Sequence, residues 1–249
     1  MEFPKRYNVL DFIRGIALIG MIIVHTLMNM VHQFNYNIEW YVKIEDVFYQ
    51  YGGCIFILLA GFCWSLSKNN FKRGILMLII SAIISWVTII VMPENTILYG
   101  VICLMGTASL LMIPFDKVCK HINSYIGFIT SVILFVITKC TDYGYVGIGK
   151  YRFWEYPESW YANNFTAYLG FPEGGFTSAD YFPVIPWFFL FVAGYFLYDI
   201  FKRNNWLGIL KPHTLKPVEW VGRHSLIIYL THQPVIYGVL ILIDMVKSC

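Results

Sequence analysis

The sequence predicts an all-α integral membrane protein, a polytopic bundle of about seven transmembrane helices with a cytoplasmic N-terminus. Three observations predict it. Hydrophobic residues make up 58% of the 249-residue chain, charged residues only 13%, and the mean hydropathy is +0.60, which leaves too little polar surface to wrap a water-soluble core. Apolar runs long enough to cross a bilayer recur along the whole sequence, which reads as a single transmembrane domain over residues 1–249. Lysine and arginine gather in alternate connecting segments. The runs are continuous and lack the alternation of barrel strands, so the spans are helices rather than a β-barrel.

Crossing about 30 Å of hydrocarbon at 1.5 Å per residue takes about 20 mostly apolar residues. Runs at 9–31, 47–67, 74–92, 97–115, 122–138, 182–201 and 224–246 qualify, the fifth being the shortest. With the N-terminus inside, the inner segments hold 12 basic residues, among them Lys5, Arg6, Lys72, Lys120, Lys202 and Arg223. The outer segments hold 5, and Arg14 stays inside a helix. This bias accounts for the net charge of +3, so no nucleic-acid partner is implied and the lipid bilayer is the expected one. The first run is too long for a cleavable leader and is expected to stay as an anchor in a multi-pass protein of the inner or plasma membrane. Six scattered cysteines match neither a disulfide framework nor a zinc site, and no metal is expected.

Most connections are short, but residues 139–180 form an outer segment of about 40 residues between the fifth and sixth runs. It is too rich in tyrosine, tryptophan and phenylalanine for disorder, and reads as an ordered aromatic cap. Its rings, with Asn163, Asn164, Glu155, Glu158 and Glu173 nearby, suit the apolar faces and hydroxyls of sugars. An interfacial aromatic belt has the same composition. Pro183 and Pro186 fall in the first turns of the sixth helix, where a missing N–H is tolerated. Pro234 lies inside the seventh, beside His232, and is expected to kink it.

The first helix carries its chemistry on one face. At about 100° per residue, Asp11, Arg14, His25, Asn29 and His32 fall within one sector of about 60°. Ionisable groups inside spans are costly and usually turn toward the bundle interior or a cavity, so these are site candidates. Arg14 is near enough to the helix start to snorkel to the surface beside Asp11. His25 lies about 16 Å further along the axis and cannot. His232 sits near the middle of the seventh helix. Two intramembrane histidines suit general base catalysis, and equally a proton relay in a transporter. There is no phosphate-cradling glycine loop, no HExxH and no Gly-x-Ser-x-Gly, and the seventh run has no mid-membrane lysine for a retinal Schiff base.

Four motifs, "LDFIRGIALIGMIIVH", "FILLAGF", "YFPVIPWFFLFVAGY" and "WVGRHSLIIYLTHQPVIY", resemble bacterial membrane proteins related to the catalytic domain of heparan-α-glucosaminide N-acetyltransferase. "RGIALIGMIIVH" is also similar to the start of the broader membrane acyltransferases that O-acetylate surface sugars. The resemblance covers nearly the whole chain. It implies that acetyl-CoA is bound from the cytoplasm and that a sugar amine or hydroxyl accepts the acetyl group on the other side. By the same resemblance, Arg14 and Asp11 belong to the donor end, His25 is the base, and His232 orients it or the acceptor. The lysosomal enzymes have asparagine where His25 stands and a catalytic histidine further along, which makes His32 the alternative base. Many bacterial relatives read Gly-Ile-Leu-His where this chain has Gly100-Val101-Ile102-Cys103. The rival readings are a proton-coupled permease, for which matching broken helices would be the sign, and a non-catalytic membrane subunit without CoA binding. An oligomer is compatible with all of them.

Overall fold

A computed structural model describes residues 7–42 and 53–247. In chain order its helices are α1 (Asn8–His32), α2 (Glu39–Val42), α3 (Cys54–Trp64), α4 (Asn70–Val91), α5 (Val101–Cys119), α6 (Ser124–Thr138), α7 (Asn164–Ala167), α8 (Val184–Arg203), α9 (Lys216–Arg223) and α10 (Ser225–Lys247). Strands β1 (Tyr145–Ile148) and β2 (Tyr151–Glu155) lie between α6 and α7. Among the described residues, 6 helices are long and apolar enough to cross a membrane, namely α1, α4, α5, α6 with the turn that follows it, α8 and α10.

The difference from seven lies at the second predicted run. Residues 47–52 lie outside the described residues, and within the rest of 47–67 the helix α3 covers only the 11 residues Cys54–Trp64. Its end is fixed by the Trp64 carbonyl, which accepts from the Asn70 side chain at 3.0 Å. The fourth run starts later than hydropathy predicts. Tyr99 takes a left-handed φ of 55°, and the Asp180 carboxylate accepts the Val101 N–H at 2.9 Å, so the helix begins past Gly100 and runs through Pro114 to Cys119. At the sixth, Pro183 caps the helix and Ile185 is still non-helical, in keeping with prolines in the opening turns.

The chain divides into two compact units, one of residues 1–56 and 205–249 and the other of residues 57–204. In the second unit, small residues let helix backbones approach one another, the packing device available where lipid offers no hydrophobic drive. A Cβ on Gly61 of α3 would lie 1.9 Å from the Phe191 carbonyl of α8, and one on Gly194 would lie 2.0 Å from that of Leu58. Gly74 of α4 and Gly106 of α5 face each other in the same way.

Residues 139–180, also in this unit, are folded. β1 and β2 pair antiparallel as a hairpin turning at Gly149, whose φ is 57°. Beside it the Phe171 ring is surrounded by Trp160, Tyr156 and Tyr161 at centroid distances of 5.0, 5.1 and 5.5 Å. An aromatic cluster therefore organises the segment. The hairpin itself was not expected from an all-α reading.

The first unit is built on α1. Gly15 and Gly222 bring α9 against it so closely that a Cβ on Gly222 would sit 1.8 Å from the Asp11 carbonyl, and one on Gly15 would sit 2.1 Å from that of Val218. Further along, α10 packs on the C-terminal half of α1, and just past the end of α1 Phe34 meets Tyr237 in ring contact at 5.8 Å.

Candidate active site

The residues singled out by the sequence, Asp11, Arg14, His25, Asn29, His32 and His232, all fall in the first unit. The polar face of α1 is turned to α9 and α10, since Asp11 and Asn29, one above the other on that face, are both buried. The structure then sorts the candidates into two clusters and an outlier.

The first cluster sits where α9 meets α1. Asp11 is bridged by Arg14 at 3.5 Å and by Arg223 at 3.4 Å. Arg223 also reaches Glu219 at 2.9 Å and the Asn8 side-chain oxygen at 3.2 Å, while the Asn8 amide donates to the Lys211 carbonyl at 2.8 Å. Glu219, 1% exposed, accepts the Thr214 N–H at 2.7 Å and meets His213 Nδ1 at 3.2 Å. These bonds, the Thr214 N–H first, hold its carboxyl below the usual carboxylate range. Arg223 thus bridges two buried carboxylates but offsets only one of their two charges, and Arg14, with one contact at 3.5 Å and its side chain 24% exposed, supplies the second positive charge while keeping N–H donors for a further anion. Arg223 and Glu219 were not singled out by the sequence, which showed them only as charges beside a span. The spacing of Glu219, Gly222 and Arg223, which puts all three on one side of an eight-residue helix, was the available signal.

The second cluster joins α1 to α10. The imidazoles of His25 and His232 stand 5.1 Å apart between centroids and tilted by 55°. Asn29 Nδ2 donates to Gln233 Oε1 at 3.0 Å, and Gln233 Nε2 meets His25 Nδ1 at 3.0 Å. His232 is buried, with Nδ1 hydrogen-bonded to the Tyr229 carbonyl and the Tyr229 ring 5.3 Å away. Two histidines from helices some 200 residues apart in sequence share a partly buried polar site, an arrangement suited to moving protons. Gln233 is the member that the sequence does not single out, since its side chain carries no charge.

His32 is the outlier. It stands on the exposed side of the last turn of α1, 7 residues or about 10 Å along the axis from His25. Cys103 lies in the second unit near Ser81 and Thr107. That unit has a polar cavity of its own, lined by Trp64, Asp116, Lys120, Tyr195, Asp199 and Lys202 among others. There Tyr195 donates to Asp116 at 2.7 Å and Arg203 pairs with Asp199 at 2.8 Å. Among the described residues no group of three or more His, Cys, Asp or Glu is placed to hold a metal ion.

A family model described as Heparan-alpha-glucosaminide N-acetyltransferase, catalytic, matches residues 6–234. The match takes in both polar clusters, since it begins before Asp11 and ends one residue after Gln233. No curated protein and no solved structure gives a significant match to the chain.

Proposed function

The chain belongs to the heparan-α-glucosaminide N-acetyltransferase catalytic family, a family of membrane acetyltransferases, and on that premise we propose a specific reaction for it. The protein moves an acetyl or similar acyl group from cytoplasmic acyl-CoA to an extracytoplasmic sugar or glycan, in the inner or plasma membrane. The observation that carries this reading is the His25–His232 pair, set on the polar face of a spanning helix.

The residues present fit an acyl-CoA donor. Arg14 shares Asp11 with Arg223 through one contact and has guanidinium N–H donors left over, so Arg14 can meet a phosphate. When bound, acyl-CoA supplies an activated thioester carbonyl. Asp11 fixes the Arg14 end of α1 against α9, and 11 residues separate Arg14 from His25, about 16 Å along the helix. The histidine pair at that further level takes the proton from the sugar amine or hydroxyl, a task worth about 10²- to 10⁴-fold in rate. His32, exposed at the end of α1, lines the acceptor side in this account and is not the base.

Membranes containing the protein, given labelled acetyl-CoA and a panel of amino and neutral sugars, should place label on at least one sugar. His32→Ala should retain that transfer. A wild-type protein that binds labelled acetyl-CoA but labels no sugar, or a His32→Ala variant as inactive as His25→Ala, contradicts the reading.

A further inference from the structure

We infer that Gln233 and Asn29 are positioning residues that divide the roles of the histidine pair: they keep the proton of His25 on Nε2, so that His25 donates and His232 accepts. The chemical consequence rests on the acyltransferase reading, whereas the tautomers rest on hydrogen bonding alone.

An amide offers an acceptor at its oxygen and donors at its nitrogen. Asn29 Nδ2 donates to Gln233 Oε1 at 3.0 Å, which leaves Gln233 Nε2 turned to His25 Nδ1 at 3.0 Å. That nitrogen only donates, so His25 Nδ1 accepts, and the neutral ring carries its proton on Nε2. The opposite holds across the pair. His232 Nδ1 meets the Tyr229 carbonyl, which only accepts, so the proton lies on Nδ1 and Nε2 is the basic nitrogen. Two rings with centroids 5.1 Å apart are therefore held in opposite tautomers, one by a side-chain amide relay and the other by backbone.

Acyl transfer needs one group of each kind. His232 Nε2 is buried in this structure, so the acceptor reaches it by entering between α1 and α10. That nitrogen then takes the proton of the acceptor amine or hydroxyl as the new acyl bond to the acceptor forms, and returns it to the departing sulfur as the thioester bond breaks. His25 Nε2–H donates to the carbonyl oxygen as negative charge gathers there. The roles that resemblance implied for the two histidines are thereby exchanged, with His232 as base.

The relay can be reversed by design. Asn29→Asp replaces the donor with a group that only accepts, so Gln233 must offer it Nε2 and turn Oε1 to His25, which moves the His25 proton to Nδ1. Gln233→Glu does the same directly, and serves where the first variant fails to fold. Nitrogen NMR of protein labelled with ¹⁵N-histidine in nanodiscs, with signals assigned by His25→Ala and His232→Ala, reads both tautomers. The expected result is Nε2–H for His25 and Nδ1–H for His232 in the wild type, with the His25 proton moved to Nδ1 in either variant and sugar transfer lowered about 10- to 100-fold. A wild-type His25 protonated on Nδ1, or a tautomer unchanged in both variants, overturns the inference. Absence of transfer by a wild type that has the expected tautomers overturns the acyltransferase reading instead.

Discussion

Glu219 shows how single residues hold the donor end together. Its carboxylate is buried, yet it collects the Thr214 N–H, His213 and Arg223, and this lowers its pKa in the folded protein. A carboxyl with a depressed folded pKa adds stability above its unfolded value and loses that stability as pH falls through the folded one. Thermal denaturation in detergent should therefore show the wild type losing stability as pH drops below about 4.3, with Glu219→Gln less stable at neutral pH and flatter across the acid range. An equal acid slope in both proteins would exclude Glu219 as the titrating group. At this scale the sequence was informative where a residue was costly in a membrane: Asp11, Arg14, His25 and Asn29 lie on the packed face of α1 as periodicity placed them. It was silent on Arg223 and Gln233, because an arginine beside a span is ordinary and a glutamine carries no charge to account for. Their roles depend on which residues they meet from elements some 200 positions away.

Among the elements, α9 was the least legible and does the most positioning. It is short, opens with Lys216-Pro217, and lies in a stretch that hydropathy reads as a connection. Contact with α1 through two glycines is what makes it a helix with a place, and glycine seen in sequence gives no direction. Gly222→Ala should push the helices apart, destabilising the protein by about 1–3 kcal/mol and lowering transfer, since Asp11 and Arg223 move with them. Gly20 is the control, as a Cβ there meets nothing within 4 Å. Gly20→Ala should be neutral or stabilise by up to about 1 kcal/mol. Similar melting curves for the two variants would show that the glycine contact does not set the spacing. The β-hairpin was missed for a related reason: its strands are four and five residues long, and an aromatic-rich run such as Tyr151–Glu155 reads as interface before it reads as strand.

For the molecule as a whole, hydropathy and the family agree on a multi-pass membrane protein, and the transfer reaction we propose takes its donor from one side of the membrane and its acceptor from the other. With a cytoplasmic N-terminus and the second hydrophobic run crossing as well, seven spans in all, an impermeant thiol reagent applied to intact cells should label Lys150→Cys, in the turn of the hairpin, and spare Lys72→Cys until the membrane is opened, whereas the six spanning helices alone would reverse both results. Equal labelling of both would reverse or discard that orientation. The account stands most directly on the histidine pair acting as a unit, and the measurement that tests this is acetyl transfer by wild type, His25→Ala, His232→Ala and the double variant in membranes of matched protein content. The account predicts that each single substitution lowers the rate about 10²- to 10⁴-fold and that the double loses little more, since groups that serve one step are not additive. Full transfer by either single variant would contradict it.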